Sequence, residues 1–419
     1  MPLPTGMCFF YFHPIFNFAS LLYTISVFME HRSYKILLAD YAGFDSGLEV
    51  PYMLKQFTDC EISVFCAKNS WILKNSYWDI WHKAPHSEED FARELIHLVK
   101  AKEYDWVILL DDPTIRIMND YVTDSDLFYK ILPLADIKNR AVLGSKSGLS
   151  IVATTYGIST PAYAIYNGTR DPETIAEEIG YPLILKIDKS EGGTGVYLCQ
   201  NKNELRACFD KLTEPQRENL LLQQYIKGLS IAGEALYHQG ELLAYACSEM
   251  TKYYGSAFGL SITRTYTPKR NQDLEPDLIK LGRSMRINGF ANITYIFDPL
   301  DQKYYFIELD PRPHSWFFLD RHVGVDFSKA IHNFLTGVHE IIRPNIPEGE
   351  SRYVIHFVRD IMYSIKTLDL RNLAKWAFNT DGRWDYIPLH DRATIWAHFA
   401  NMPSVLWNKL LSLAGIKRN

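Results

Sequence analysis

Two short segments of this 419-residue chain combine residue types that handle anions. Lys186 lies inside the apolar run Pro182 to Ile187. An ammonium there loses hydration and needs an anion to offset the loss, and a nucleotide phosphate would serve. The alternative is a lysine on the wet face of a sheet. The next loop, Ser190-Glu191-Gly192-Gly193-Thr194-Gly195, has three glycines that let bare N–H groups approach a phosphate chain. It is not a Walker loop, because GxxxxGK[ST] is absent. The second segment is Phe306-Ile307-Glu308-Leu309-Asp310-Pro311-Arg312. Residues two apart on a strand share a face, so Glu308 and Asp310 would form a hard oxygen site for Mg²⁺. Such an ion could bridge phosphates, and Arg312 could hold a phosphate or carboxylate bidentately. The competing reading is a strand ending in a charged turn paired with Arg312.

The elements needed to position these groups are legible in outline. Tyr34–Asp40, Ile62–Cys66 and Trp106–Leu110 read as buried parallel strands, separated by helical segments after Gly43 and over Phe91–Lys102. That alternation predicts a doubly wound α/β domain. Asp111 and Asp112 follow the third strand, where they could meet substrate or cap a helix before Pro113. No GxGxxG follows the first strand, so a dinucleotide is not assigned. A helix is expected over Gly148–Gly157, and strands over Pro182–Ile187, Gly195–Cys199 and Leu220–Ile226. A hairpin should join Ile231–Tyr237 to Glu241–Met250 at Gln239-Gly240. An amphipathic helix is expected over Asp277–Met285, and paired strands over Ala291–Phe297 and Lys303–Leu309. Val325–Leu335 should be helical, and the tail should pack on the body or cover one side of the cleft.

Composition narrows the function. Hydrophobic residues make up 47% of the chain, enough for a sizeable core. The formal charge of -5 gives no basic excess for gripping nucleic acid. Six cysteines are scattered without a CxxC pair and read as isolated thiols in a reducing compartment. Met7 to Met29 contains no Asp, Glu, Lys or Arg, and its length could span a bilayer. It lacks the basic start of a signal peptide. Three readings stand: an upstream extension absent from the natural product, a membrane anchor, and an extra helix on the surface. The first is preferred; it leaves a cytoplasmic protein, and only the second brings membrane association.

From about Asn139 to His339 the chain resembles the ATP-grasp superfamily. SKSGLSIVATTYGISTP (Ser145–Pro161) looks like the family's lysine-bearing helix, with Lys146 as the first nucleotide-contacting base. YPLILK places Lys186 as the second, and EGGTGV is similar to the phosphate-covering loop, implying Glu191, Gly192, Gly193, Thr194 and Gly195. LLLQQYIKG looks like the hinge whose backbone meets adenine, implying Gln223, Gln224, Tyr225 and Ile226. FIELDPRP is similar to the family's metal segment, with Glu308 and Asp310 as ligands and Asp310 in place of an Asn. The upstream metal ligand of the family falls at Thr294, or at Asn292 in another register. The glutamate after the hinge glycine is missing, with Leu229 and Ser230 there and Glu234 further on.

The resemblance implies an α/β fold with an α+β ATP-grasp core: a 1–30 extension, a pre-grasp domain (31–138), ATP-grasp subdomains (139–225 and 226–345) and a packed C-terminal extension (346–419). It implies ATP with Mg²⁺, or Mn²⁺ in its place, and an acyl phosphate route joining a small carboxylate to an amine. Arg312, Arg264 and Lys252 are the candidate catalytic residues, with His314 as a candidate for acting on the amine. The alternatives are an ATP-binding sensor without ligase activity and another ATP-grasp chemistry such as carboxylation. By analogy the N-terminal domain could support a homodimer.

Overall fold

In the computed structural model the described residues are 33–190, 194–255 and 259–400. Strand β1 (Tyr34–Asp40) buries Ile36, Leu37, Leu38 and Ala39 completely, as expected of a strand covered on both faces. Helix α1 (Val50–Phe57) leads to β2 (Cys60–Cys66) and the short β3 (Ile80–Lys83), which the sequence reading did not include. Helix α2 (Glu88–Ala101) starts where the Ser87 hydroxyl accepts the Asp90 N–H at 3.1 Å, with three acidic residues in its first turn to complement the helix dipole. Its buried face is Phe91, Leu95 and Val99, spaced four apart. After β4 (Trp106–Leu109), Asp111 caps α3 (Asp112–Tyr121) by accepting the Thr114 N–H at 2.7 Å. The four strands form a parallel sheet in the order β3-β2-β1-β4.

Helices α4 (Ser125–Ile131) and α5 (Lys146–Thr155) carry the chain into a second sheet. Its strands and helices are β5 (Tyr163–Tyr166), α6 (Pro172–Ile179), β6 (Leu183–Ile187), β7 (Val196–Cys199), α7 (Lys202–Lys211) and β8 (Leu220–Gln224). The order is β5-β8-β6-β7, all antiparallel. Leu183 and Leu185 pack with Ile175, Leu205 and Leu222. Strand alternation therefore turns Lys186 to the opposite face.

The third sheet is the largest. Strands β9 (Leu229–His238) and β10 (Glu241–Tyr254) form the expected hairpin, with positive φ at both Gln239 (50°) and Gly240 (90°), the geometry of a tight twisted turn. β11 (Leu260–Tyr266), α8 (Pro268–Met285), β12 (Gly289–Asp298), β13 (Lys303–Asp310), α9 (Phe327–Thr336) and β14 (Arg352–Ile355) follow. The antiparallel order is β13-β12-β9-β10-β11-β14. Helix α8 buries Leu274, Leu278, Leu281 and Met285 against Ile231, Ala235, Tyr237, Ala291, Ile293 and Tyr295. The residues between them, Glu234 on β9 and Asn292 and Thr294 on β12, face the other way.

Strand β14 lies in the stretch read as a packed extension, yet it is an edge strand of this sheet, pairing with β11 from Thr263↔Ile355 to Tyr266↔Arg352. Beyond it, α10 (Phe357–Thr367) and α11 (Leu370–Ala377) are held by one buried carboxylate. Asp360 accepts from Lys252 Nζ (2.8 Å), Asn372 Nδ2 (2.7 Å), Trp376 Nε1 (2.9 Å) and Arg383 Nη1 (2.7 Å). Among the described residues no helix is long and apolar enough to cross a membrane. The apolar N-terminal stretch lies outside the described residues.

Candidate nucleotide and metal site

Lys146 is the first residue of α5, and its helix start is fixed by Ser145, whose hydroxyl accepts the Gly148 N–H at 2.9 Å. Asp188, just past β6, ties this start to the second sheet. Its carboxylate accepts from Ser145 Oγ at 2.9 Å and from the Ser147 N–H at 2.6 Å. Lys146 Nζ donates to the Ser190 carbonyl and lies 3.2 Å from Ser190 Oγ, at the start of the glycine loop.

Lys186 is buried at 7% exposure. Burial pushes its ammonium down to about 8, the Glu308 carboxylate offsets part of that, and Lys146 adds to it. Lys186 of the second sheet is thus near enough to Lys146 of α5 and Glu308 of the third sheet to feel both charges. Glu191, Gly192 and Gly193 lie outside the described residues. Thr194 and Gly195 follow them, and Gly195 (φ +70°) packs against Ile187, where an added Cβ would come within 2.9 Å of the Ile187 side chain.

Asn292 stands opposite both Asp310 and Glu234 in the register, and Thr294 stands opposite Glu308. All five therefore share one face of the third sheet. Asn292 Nδ2 donates to Asp310 Oδ2 at 3.0 Å, so the side chain nearest Asp310 from β12 is Asn292. Arg312 forms two parallel bonds to Asp112, Nε to Oδ1 at 2.7 Å and Nη2 to Oδ2 at 2.6 Å. Its Nη2 is 3.8 Å from Asp310 Oδ2. Burial and the carboxylates of Asp112 and Glu308 drive the Asp310 carboxyl well above its ordinary range, against Arg312 and Asn292. Burial opposes the Arg312 charge, but Asp112 outweighs it and holds the guanidinium firmly protonated.

The hinge residues are arranged around β8. Gln223 is buried, Gln224 is exposed, and the Tyr225 N–H donates to the Pro182 carbonyl at 3.2 Å, which ends the strand two residues before the expected Ile226. Gly228 lies so close to the Phe297 carbonyl that a Cβ would come within 2.1 Å.

Three sequence candidates are engaged elsewhere. Arg264, on β11, is buried and donates to Glu234 Oε1 at 2.6 Å and Ser261 Oγ at 3.0 Å, with its guanidinium 4.1 Å over the Trp316 ring. His314 Nε2 is 3.3 Å from the same Glu234 oxygen. Burial pushes His314 down to about 4, so it is a neutral imidazole at neutral pH. Burial works against the Glu234 charge, yet Arg264 and His314 together hold it below the ordinary carboxylate range. Lys252 is committed to Asp360. The sequence reading missed Asp188 and Asp112 as partners of Ser145 and Arg312. Asp112 is read from the sequence as a strand-end acid that could meet substrate or cap a helix, and Asp188 carried one available signal, its place two residues after Lys186.

Residues 158–316 match the family model described as Carbamoyl-phosphate synthase L chain, ATP binding domain. The chain is similar in structure to N5-carboxyaminoimidazole ribonucleotide synthetase in its ADP complex, with TM-score 0.60 and 13% identity over 80% of this chain and 85% of the other. The chain has the ATP-grasp fold. Other ATP-grasp likenesses agree. The L-amino acid ligase from Bacillus licheniformis gives TM-score 0.55 at 16% identity, covering 73% of this chain and 74% of that one. The biotin carboxylase domain of Hydrogenobacter thermophilus 2-oxoglutarate carboxylase, solved with MgADP and bicarbonate, gives 0.57 at 17%, covering 77% and 74%. In sequence, the carbamoyl phosphate synthase arginine-specific large chain of Geobacillus stearothermophilus is 26% identical over 163 residues, 37% of this chain. The match spans 16% of that relative's length.

Proposed function

We propose that this ATP-grasp protein is an ADP-forming carboxylate–amine ligase. What supports the reading is the electrostatic influence of Glu308, on one sheet, upon the buried Lys186 of another, with Asp310 two residues from Glu308 and 3.8 Å from Arg312. Cations that would receive phosphates meet carboxylates that would receive a metal ion.

The donor set suits Mg²⁺. Asp310 is half-buried beside like charges, an arrangement that a hard cation relieves. Glu308 and Asp310 would hold the ion, with Asn292 orienting Asp310. The ion would supply charge neutralisation on the phosphates. Two carboxylates leave room for the waters and phosphate oxygens that Mg²⁺ prefers.

The chain's own groups account for the rest. Lys146 and Lys186 would bind the phosphate chain of ATP. A substrate carboxylate oxygen would attack the γ-phosphorus while the bond to the β-γ bridging oxygen breaks, giving an acyl phosphate and ADP. The amine nitrogen would then attack the acyl carbon, releasing phosphate and a proton. Arg312, fixed by Asp112, would position an anionic oxygen without rearranging. Arg264 and Lys252 would act by holding their elements in place. This protein's substrates are small molecules on this reading.

Similarity to carboxylating enzymes supports a second reading, in which bicarbonate is the carboxylate. One experiment separates the two: ADP release with Mg·ATP and pooled carboxylates and amines, beside a bicarbonate arm and a Glu308→Ala control. Ligase activity requires ADP that depends on an organic carboxylate and amine and disappears in the control. ADP that depends on bicarbonate alone moves the assignment to carboxylation. Nucleotide binding without substrate-dependent ADP contradicts both.

A further inference from the structure

Helix α11 is amphipathic, yet its apolar side faces water. The opposite side is anchored by Trp376, which is buried and donates its indole N–H to Asp360 at 2.9 Å. Leu370, Ala374, Ala377 and the capping Phe378 recur at helical spacing on the outer side, and all four are exposed. Leu370 keeps 72% of its surface in water and Phe378 81%, against 6% for Trp376. Trp384 lies at the end of this helix. Its backbone N–H donates to Asn379 Oδ1 at 2.9 Å and its indole N–H to the Trp376 carbonyl at 2.7 Å, which leaves about half of the ring exposed. Leu368, linking α10 to α11, is exposed to the same degree. Two leucines and two rings left in water at one corner are a patch rather than scattered single residues, and such a patch marks a contact surface.

The charge around the patch decides what it fits. Beyond β14, residues 356–419 hold nine Lys and Arg against five Asp and Glu, the reverse of a chain with 44 against 49. Lys366, at the end of α10, and Arg371, in the first turn of α11, are exposed, and neither has a carboxylate partner among the described residues. Lys366 Nζ rests 4.9 Å over the Tyr254 ring. Of the acids nearby, Asp369 is turned to the helix start, accepting the Asn372 N–H at 3.0 Å, Asp381 is paired with Lys375 at 3.2 Å, and Asp385 is exposed. A second copy of the chain would bring the same bases to the contact. Residues 401–419 carry Lys409, Lys417 and Arg418 and no acid, so they share the sign of the face as well. An anionic occupant complements it.

We propose that this corner docks on an anionic lipid surface, with Leu370, Phe378 and Trp384 entering the boundary between headgroups and acyl chains and Lys366 and Arg371 meeting the lipid phosphates. Large apolar side chains flanked by bases on a surface helix are the pattern that lies in such a boundary, and an indole with a polar edge suits headgroup depth. The contact is peripheral, since α11 is eight residues long and lies along the surface. It does not depend on the ligase reading. It gives the C-terminal segment a task of its own, holding an ATP-grasp body against a membrane face.

The test is co-sedimentation of the full chain with vesicles of phosphatidylcholine alone and of phosphatidylcholine and phosphatidylglycerol in equal parts, at low and high salt. Binding to the mixed vesicles at low salt should exceed binding to the neutral ones at least about tenfold and should weaken as salt rises. Leu370→Ser with Phe378→Ser should weaken it at least about tenfold, and Arg371→Glu about fivefold or more, with Mg·ATP affinity within about twofold of the parent in both. Arg371→Glu places an acid in the first turn of α11, where the helix dipole favours it, and serves if the double substitution does not fold. No binding to the mixed vesicles overturns the proposal. Equal binding to both vesicle types overturns it too, as does binding that neither variant changes, which places the contact elsewhere in the chain. Self-association without vesicle binding, abolished by the double substitution, reassigns the face to a second copy. Retention on immobilised polyglutamate but not on vesicles reassigns it to an acidic polypeptide, and either result ends the lipid assignment.

Discussion

Lys186 ties the site to pH. Its ammonium titrates near 8 when buried without phosphate. A bound phosphate raises that value, so nucleotide binding takes up a proton above it. The sign follows: affinity for Mg·ATP should be flat below about pH 7 and fall above pH 8, approaching tenfold per pH unit if one proton is linked. Calorimetry from pH 6.5 to 9.5 checks this, and Lys186→Arg should flatten the upper limb. Asp310 shows the opposite tension, a carboxyl whose charge the apo protein disfavours. Asp310→Asn should raise the melting temperature of the metal-free protein by a few degrees, on the order of 1 kcal/mol, while weakening Mg²⁺-dependent nucleotide binding. Differential scanning calorimetry and titration read the two effects on one sample. Glu308, Asp310 and Lys186 were legible in the sequence because each lies inside a local strand pattern. The Glu234–Arg264 pair was not, because it depends on strands 30 residues apart meeting in one face.

At the scale of elements, β9 must carry a charge through the third sheet's interior. Glu234 is fully buried, and its pairing with Arg264 joins β9 to β11 across β10. Removing one partner leaves a buried charge, so Glu234→Ala should cost about 3–5 kcal/mol in urea unfolding. A cost near zero would show that the pair is dispensable to the sheet. The hinge between β8 and β9 is constrained differently. Gly228 admits no side chain beside the Phe297 carbonyl, so Gly228→Ala should displace the hinge and weaken nucleotide binding. The long periodic elements were readable, and β1 and the β9–β10 hairpin fall close to their expected limits. Strands β3 and β5 escaped because each is four residues long with partly exposed faces, too short for alternation to stand out. The place of strand β14 in the sheet escaped because it is four residues long and its pairing brings Ile355 to the distant Thr263.

Across the whole molecule, residues on or just beyond all three sheets contribute to the candidate site, and the C-terminal segment is fastened to β10 by Asp360. Burial disfavours that carboxylate, but Lys252, Asn372 and Trp376 hold its proton affinity below the ordinary value. Its stabilising contribution is therefore present above the ordinary carboxylate pKa of about 4 and is lost as pH falls below it. The general plan of a doubly wound domain followed by an ATP-grasp core was readable from order and spacing. The way the tail reaches back to β10 through Lys252 was not, since it depends on a contact spanning 108 residues. The central claim is that Lys186 and the Glu308–Asp310 pair form one nucleotide–metal site. Titration of Mg·ATP into the full chain, its Lys186→Ala variant and its Glu308→Ala variant tests it most directly. Mg²⁺-dependent binding that weakens at least about tenfold in both variants is the expected result. No binding by the wild-type protein, or binding that neither substitution alters, would contradict it.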